Sequence, residues 1–220
     1  MKAMLLAAGK GERMRPLTLQ RPKPLLEVHG KPLIIWHIER LLAIGVREFV
    51  INVSWLGAQI MNHCGDGSRW SSTITYSEEQ APLETAGGII RALEHLGTTP
   101  FLVINADIWT DYPLQSLRNK TLPPVGAHLV LVENPPHNRD GDFSLRDDKV
   151  ILKHDRAFTF SGIGLYHPAF FAGFPEGKRP LRPLLESAIR EHRLFGEHYA
   201  GIWTDVGTPE RLAALNEQTP

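Results

Sequence analysis

The chain has 220 residues, 42% of them hydrophobic, which suits one fairly large domain with a buried core. Lys plus Arg is 24 and Asp plus Glu is 24, so the formal net charge is +0, which argues against a protein working mainly by nonspecific attraction to nucleic acid. A single cysteine, Cys64, excludes an intramolecular disulfide framework and a multi-cysteine zinc site, and reads as a small buried residue.

The opening run "AMLLAA" is apolar and ended by turn residues, so it predicts a buried parallel strand. It stops at Ala8, too short for a signal peptide, and no apolar run approaches a membrane span; the cytoplasm and no membrane contact are the expectation. The segment from Pro32 to Ile44 has helical apolar spacing, begins with proline and is followed by Gly45, which predicts a helix. "EFVINV" predicts a strand, "AQIMNHCG" a short helix, "TITYSE" a strand, "ETAGGIIRALEHLG" a helix closed by Gly97, and "FLVINAD" a strand ending in polar residues. This alternation predicts an α/β fold with a largely parallel sheet covered on both faces. Later come four strand-like runs, "AHLVLVEN", "DFSLRDD", "KVILKHD" and "FTFSGIGLYHP", expected to extend the sheet and wall a pocket. "RPLLESAIREH" and "PERLAALNEQ" predict late helices, and Asn134 to Asp142 is the most loop-like stretch.

Ligands of open α/β sheets collect at the carboxyl ends of the strands. Directly after the first strand comes "GKGERMRPLTLQRPK". Gly9 and Gly11 allow amide N–H groups to turn toward an anion, and Arg13, Arg15 and Lys23 add cationic donors. A polyphosphate site follows. It is not a P-loop, because G-x-x-x-x-G-K-[ST] is absent, and Met14 stands where a dinucleotide fingerprint needs its third glycine.

The whole constellation, "LAAGKGERMRPLT" followed by "RPKPL", resembles the signature of the sugar-phosphate nucleotidyltransferases. The resemblance covers essentially the whole chain. It implies a Rossmann-like nucleotidyltransferase fold, three layers around a mostly parallel, mixed central sheet. It also implies a reaction, in which UTP and a sugar 1-phosphate give a UDP-sugar and pyrophosphate. In such a site Gly11 and its neighbour Glu12 belong to the loop around the triphosphate, Arg13 binds the outer phosphates, and Lys23 stabilises the α-phosphate. "NAD" and "WTDVGTPE" resemble the family's two metal-binding segments, which assigns Mg²⁺ to Asp107 and Asp205; that ion prefers hard oxygen ligands, one or two carboxylates among them. Arg13, Lys23, Asp107 and Asp205 are thus the expected catalytic set.

"EEQAPLETAGG" resembles the family's base-reading segment, with Glu84 in place of a glycine. Glu79 is the candidate acceptor for a ring N–H, a donor that uracil and guanine both offer, and Glu84 stands at a helix start that favours a carboxylate. Asn105, Asp140 and Gly141 are the expected sugar contacts. The family's E-K pair, which anchors the sugar phosphate, is missing from "VILKHDRAFT". An acidic sugar would need a cation or N–H donors, and Arg139, Lys153, His154 and Arg156 lie nearby in sequence.

Many relatives append a β-helix of hexapeptide repeats; here one domain over residues 1–220 is expected, with a nucleotide half to about residue 110 and a sugar half beyond. A monomer or small homo-oligomer with no nucleic-acid partner is the expected form. Alternatives within the class are mannose-1-phosphate guanylyltransferase or another hexose-1-phosphate enzyme. Outside it stand a nucleotide-sugar-binding regulator without turnover and a dinucleotide-dependent oxidoreductase.

Overall fold

The structure is a computed structural model that describes residues 1–217. Its first half contains β1 (Ala3–Leu6), β2 (Glu27–Val28), β3 (Lys31–Pro32), α1 (Leu33–Ala43), β4 (Glu48–Val53), α2 (Gly57–Cys64), β5 (Thr73–Glu78), α3 (Glu84–Leu96), β6 (Phe101–Asn105) and β7 (Ile108–Thr110). Its second half contains α4 (Leu114–Arg118), β8 (Ala127–Val132), β9 (Phe143–Arg146), β10 (Lys149–Leu152), β11 (Thr159–Tyr166), α5 (Arg182–Arg190), β12 (Leu194–Tyr199), β13 (Trp203–Asp205) and α6 (Pro209–Glu217). Gln218, in the expected last helix, lies outside the described residues.

Nine strands form one mixed sheet in the order β5-β4-β1-β6-β11-β8-β12-β10-β9. The first four are mutually parallel, joined by helical crossovers, as parallel pairing requires. β1, β4 and β6 read as largely apolar runs because both faces are covered, whereas β5, at the sheet edge, is more polar. On one face Ile34, Ile38 and Leu41 of α1 meet Phe49, Ile51 and Ile104. On the other, Ile89 of α3 and Leu184 and Leu185 of α5 join Met4, Val50 and Val103.

The second half is mixed. β11 is antiparallel to both β6 and β8, and β9 and β10 form a hairpin, since adjacent strands joined by a short turn can only run antiparallel. Asp147 takes the left-handed turn conformation there (φ 55°), which a short polar side chain tolerates. β12, not expected from the sequence, lies between β8 and β10 and is parallel to β8. Its glycine is a packing requirement: a Cβ on Gly196 would lie 2.6 Å from Val150 Cγ2.

A third, small cluster joins the glycine loop to the C-terminal helix. Met14, fully buried, packs with Leu26, Val28, Leu33, Val206 and Leu215. Burial of such a side chain contributes roughly 1.5–3 kcal/mol. The residue standing in place of a third glycine is therefore the anchor of the loop. Cys64 is buried and its thiol is pushed up to about 11 by burial, which leaves it inert.

Candidate active site

Strands β1, β4 and β6 end side by side, and connected clefts open at their carboxyl edge. Gly11 has φ 61°, and a Cβ there would lie 2.8 Å from Thr18 Cγ2; Thr18 Oγ1 in turn donates to the Gly11 carbonyl at 2.7 Å. The loop is thereby curled against the turn that follows it. One cleft is lined by Gly11, Glu12, Arg13 and Lys23 together with Lys178 and Gly207 from the far end of the chain. Gly9, Lys23, Glu84 and Asp107 also line the neighbouring cleft, which runs to Asn52 and Glu79. Arg15 is exposed and lines neither.

Lys23 is 8% exposed, and its Nζ donates to Asp107 Oδ2 at 2.5 Å. Asp107 follows β6, and β7 begins one residue later. β7 pairs with β13, which sets Asp205 opposite Ile108, and Val206 N donates to the Asp107 carbonyl at 2.9 Å. Asp107 and Asp205 consequently line one cleft, with Arg13, Asn105, His137 and Asn138. Asp205 Oδ1 contacts both His137 Nε2, at 3.0 Å, and Arg211. Trp203 Nε1 donates to Ser161 O at 2.9 Å and ties β13 down.

Helix α1 holds β7 from behind. His37 is buried, and its Nε2 lies 3.0 Å from the Ile108 carbonyl; a carbonyl only accepts, so Nε2 carries the proton. Burial, aided by Arg40, lowers its pKa to about 4, so the ring is neutral at physiological pH. Arg40 donates to the carbonyls of Thr110 and Tyr112.

Glu79 is 6% exposed at the end of β5. Its Oε1 accepts from Asn52 Nδ2 at 2.7 Å and its Oε2 from Leu83 N at 2.9 Å. Asn52 Oδ1 accepts from Ala7 N at 2.8 Å, which fixes the amide's orientation. The pair leaves no room behind it: a Cβ on Gly88 would lie 2.7 Å from Glu79 Oε1 and 2.8 Å from Asn52 Nδ2. Glu84 takes φ 60°, the left-handed region that favours glycine, and its carboxylate lies 3.3 Å from Lys178 Nζ.

The clefts also gather Asn105, whose side chain fits against a position without a Cβ: one on Gly162 would lie 2.4 Å from Asn105 Nδ2. The two remaining expected sugar contacts do not line these clefts. Asp140 is 90% exposed beside Lys153, and Gly141 occupies a turn at φ 65°, where a Cβ would meet Asn134 Oδ1 at 2.8 Å. That turn directs His137, Asn138 and Asp142 inward instead, Asp142 Oδ2 accepting from Phe160 N at 2.9 Å. Asn52, Lys178, His137, Asn138 and Asp142, which line the clefts, and Arg211, which pairs with Asp205, are residues that sequence reasoning missed.

Two carboxylates suit a hard divalent cation that also binds phosphates, and each is balanced here by a cation of the chain, Lys23 or Arg211. Among the described residues no group of three or more His, Cys, Asp and Glu is arranged as a metal site, so such an ion would take further ligands from bound phosphates or water.

A glycine-wrapped cationic cleft that shares its wall with paired carboxylates is built for transfer of a nucleotidyl group between phosphates. The chain belongs to the nucleotidyl transferase family, whose model matches residues 2–139. It is 51% identical, over 96% of its length and 95% of the relative's, to the N-acetylmuramate alpha-1-phosphate uridylyltransferase of Neisseria meningitidis serogroup B. It is 33% identical, over 96% and 94%, to the protein of the same name from Caulobacter vibrioides. A Bacillus anthracis crystal structure assigned as a glucose-1-phosphate thymidylyltransferase shares the fold, with TM-score 0.86 and 22% identity over 98% of this chain and 94% of that one.

Proposed function

We propose that the protein transfers UMP from UTP to N-acetylmuramate α-1-phosphate, giving UDP-N-acetylmuramate and pyrophosphate. The observation that carries the transfer chemistry is the convergence of Gly11, Arg13, Lys23, Asp107 and Asp205 on adjoining clefts. The choice of base and sugar rests on the two relatives of that name. An acceptor of this kind supports a part in the recycling of cell-wall sugars, and our reading places the protein in the cytoplasm as a monomer or small homo-oligomer. Residues to about 110 would serve mainly the nucleotide and later ones mainly the sugar.

A sugar-phosphate oxygen attacks the α-phosphorus, and the bond to the β-phosphate breaks, so that pyrophosphate leaves with the electron pair. The attacking phosphate monoester has a second pKa of about 6 and is already anionic, so no general base is needed. The chain's task is positioning and charge stabilisation. Lys23 moves its ammonium from Asp107 to the α-phosphate, while the Gly11 loop and Arg13 hold the leaving group. Glu79, kept in place by Asn52 and the Leu83 amide, retains lone pairs to accept the ring N–H of uracil. Asp107 and Asp205 would hold Mg²⁺, which when bound would offset the charge of the two anionic substrates.

Thermal unfolding with each nucleoside triphosphate and Mg²⁺ tests the nucleotide assignment. A ligand at a hundred times its Kd adds about 2.7 kcal/mol of stability. UTP should raise the Tm by several degrees and GTP should not. The reverse pattern would favour the guanylyl reading, since guanine also offers a ring N–H to Glu79.

A further inference from the structure

N-acetylmuramate differs from N-acetylglucosamine by a lactyl ether, which adds one carboxylate and one methyl group. We propose that Arg182 binds that carboxylate and selects the acidic sugar 1-phosphate over neutral ones, an inference that rests on the functional reading above.

The cations nearest in sequence to the expected sugar loop point away from the site. Arg139 Nε donates to the Pro136 carbonyl, Arg156 pairs with Glu133 at 3.0 Å, and His154 lies 3.2 Å from Asp155. Lys153 lies 3.9 Å from Asp140. None of the four lines a cleft of the site.

Arg182, the first residue of α5, does line one. Its pocket, of about 410 Å³, shares Thr85 and Asn105 with the nucleotide cleft and Phe160 with the cleft of the two aspartates. A sugar held beside Asn105 therefore has one edge over this pocket. Phe143, Phe160, Leu181 and Leu185 give it apolar surface that suits a lactyl methyl; Arg182 is the one cation lining it among the described residues, and of its two carboxylates, Asp142 and Glu84, the second is paired with Lys178.

The guanidinium is held but not used up. Nε donates to Glu186 Oε1 at 2.9 Å, and the group's carbon lies 5.4 Å from the centre of the Phe143 ring. The nearest approach to Asp142, 3.7 Å from Nη1 to Oδ1, is too long for a hydrogen bond. Asp142 spends its other oxygen on Phe160 N and Asn138 Nδ2, at 2.9 and 3.2 Å. Both terminal nitrogens of Arg182 keep N–H groups for a carboxylate, in the planar fork that suits bidentate binding.

The test compares kcat/KM for N-acetylmuramate 1-phosphate and its neutral lactyl carboxamide, with UTP and Mg²⁺. In Arg182→Ala the acid-to-carboxamide ratio should fall by about tenfold or more, carried by KM, the scale of one charge-assisted hydrogen bond. Should that variant not fold, Arg182→Lys, which keeps the charge but loses the fork, should lower the ratio by about threefold. A ratio equal to wild type in either folded variant overturns the Arg182 assignment and leaves the reaction standing. Wild type that turns over neutral sugar 1-phosphates with UTP but not the muramyl substrate overturns the functional reading, and the assignment with it.

Discussion

Lys23 Nζ meets Asp107 Oδ2 at 2.5 Å, joining residues 84 apart in sequence inside a cleft where the lysine is almost fully buried. The proposed mechanism needs these two groups apart. In that mechanism a triphosphate would take over the ammonium, and a divalent ion the carboxylate. Lys23→Ala should therefore lower kcat by about 10²-fold or more, the scale of a lost oxyanion donor. Near-normal turnover by the folded variant would remove Lys23 from the chemistry.

Asp107→Asn and Asp205→Asn should each raise the Mg²⁺ concentration needed for half-maximal activity, because each would remove one of the two proposed anionic oxygen ligands. The check is a magnesium titration at fixed substrate. Curves that superimpose on wild type would show that these carboxylates serve the structure alone.

Asn52 bridges Ala7 N and Glu79, the proposed acceptor for the base. Asn52→Ala leaves a buried amide unpaired and frees Glu79, which should cost about 1–3 kcal/mol of stability. KM for UTP should rise severalfold while KM for the sugar phosphate moves far less. Equal effects on both substrates in initial-rate kinetics would point to general loosening instead.

Acid should unfold the protein through two windows. His37 has its pKa lowered from 6.5 to about 4 on folding, so the unfolded chain binds more protons between those values, and stability is lost as pH falls through them, by about 3 kcal/mol. Glu197, lowered to about 2 by His128 and Lys120 against the opposing effect of burial, loses its contribution between 4.5 and 2. His37→Gln keeps a donor for Ile108 and should abolish the upper window only. Urea unfolding at pH 7, 5 and 3.5 would expose a wild-type profile that stays flat above pH 5, contrary to this account.

The parallel half of the fold is legible in the sequence because doubly covered strands must be continuously apolar, as "EFVINV" and "FLVIN" are. The phosphate loop is legible because backbone approach to an anion demands glycine, and Gly11 meets that demand with its φ of 61°. Strands β7 and β13 are not. Each has three residues, too few for a period, and only their pairing brings Asp205 beside the Asp107 segment. Within Asn134 to Asp142 composition marks a loop, but which side chains face inward depends on the turn at Gly141, so His137, Asn138 and Asp142 line the clefts and Asp140 does not. Arg182 and Arg211 carry little signal, each being a single cation on a late helix, and only the fold brings Arg182 beside Asp142 and Phe143 and Arg211 beside His137.

Pyrophosphate release from the purified protein with Mg²⁺ tests the central claim most directly, measured across four nucleoside triphosphates and the 1-phosphates of N-acetylmuramate, N-acetylglucosamine, glucose and mannose. Turnover should centre on UTP with the muramyl substrate. Turnover with GTP and mannose 1-phosphate in its place, or tight UTP binding without pyrophosphate release from any pair, would contradict it.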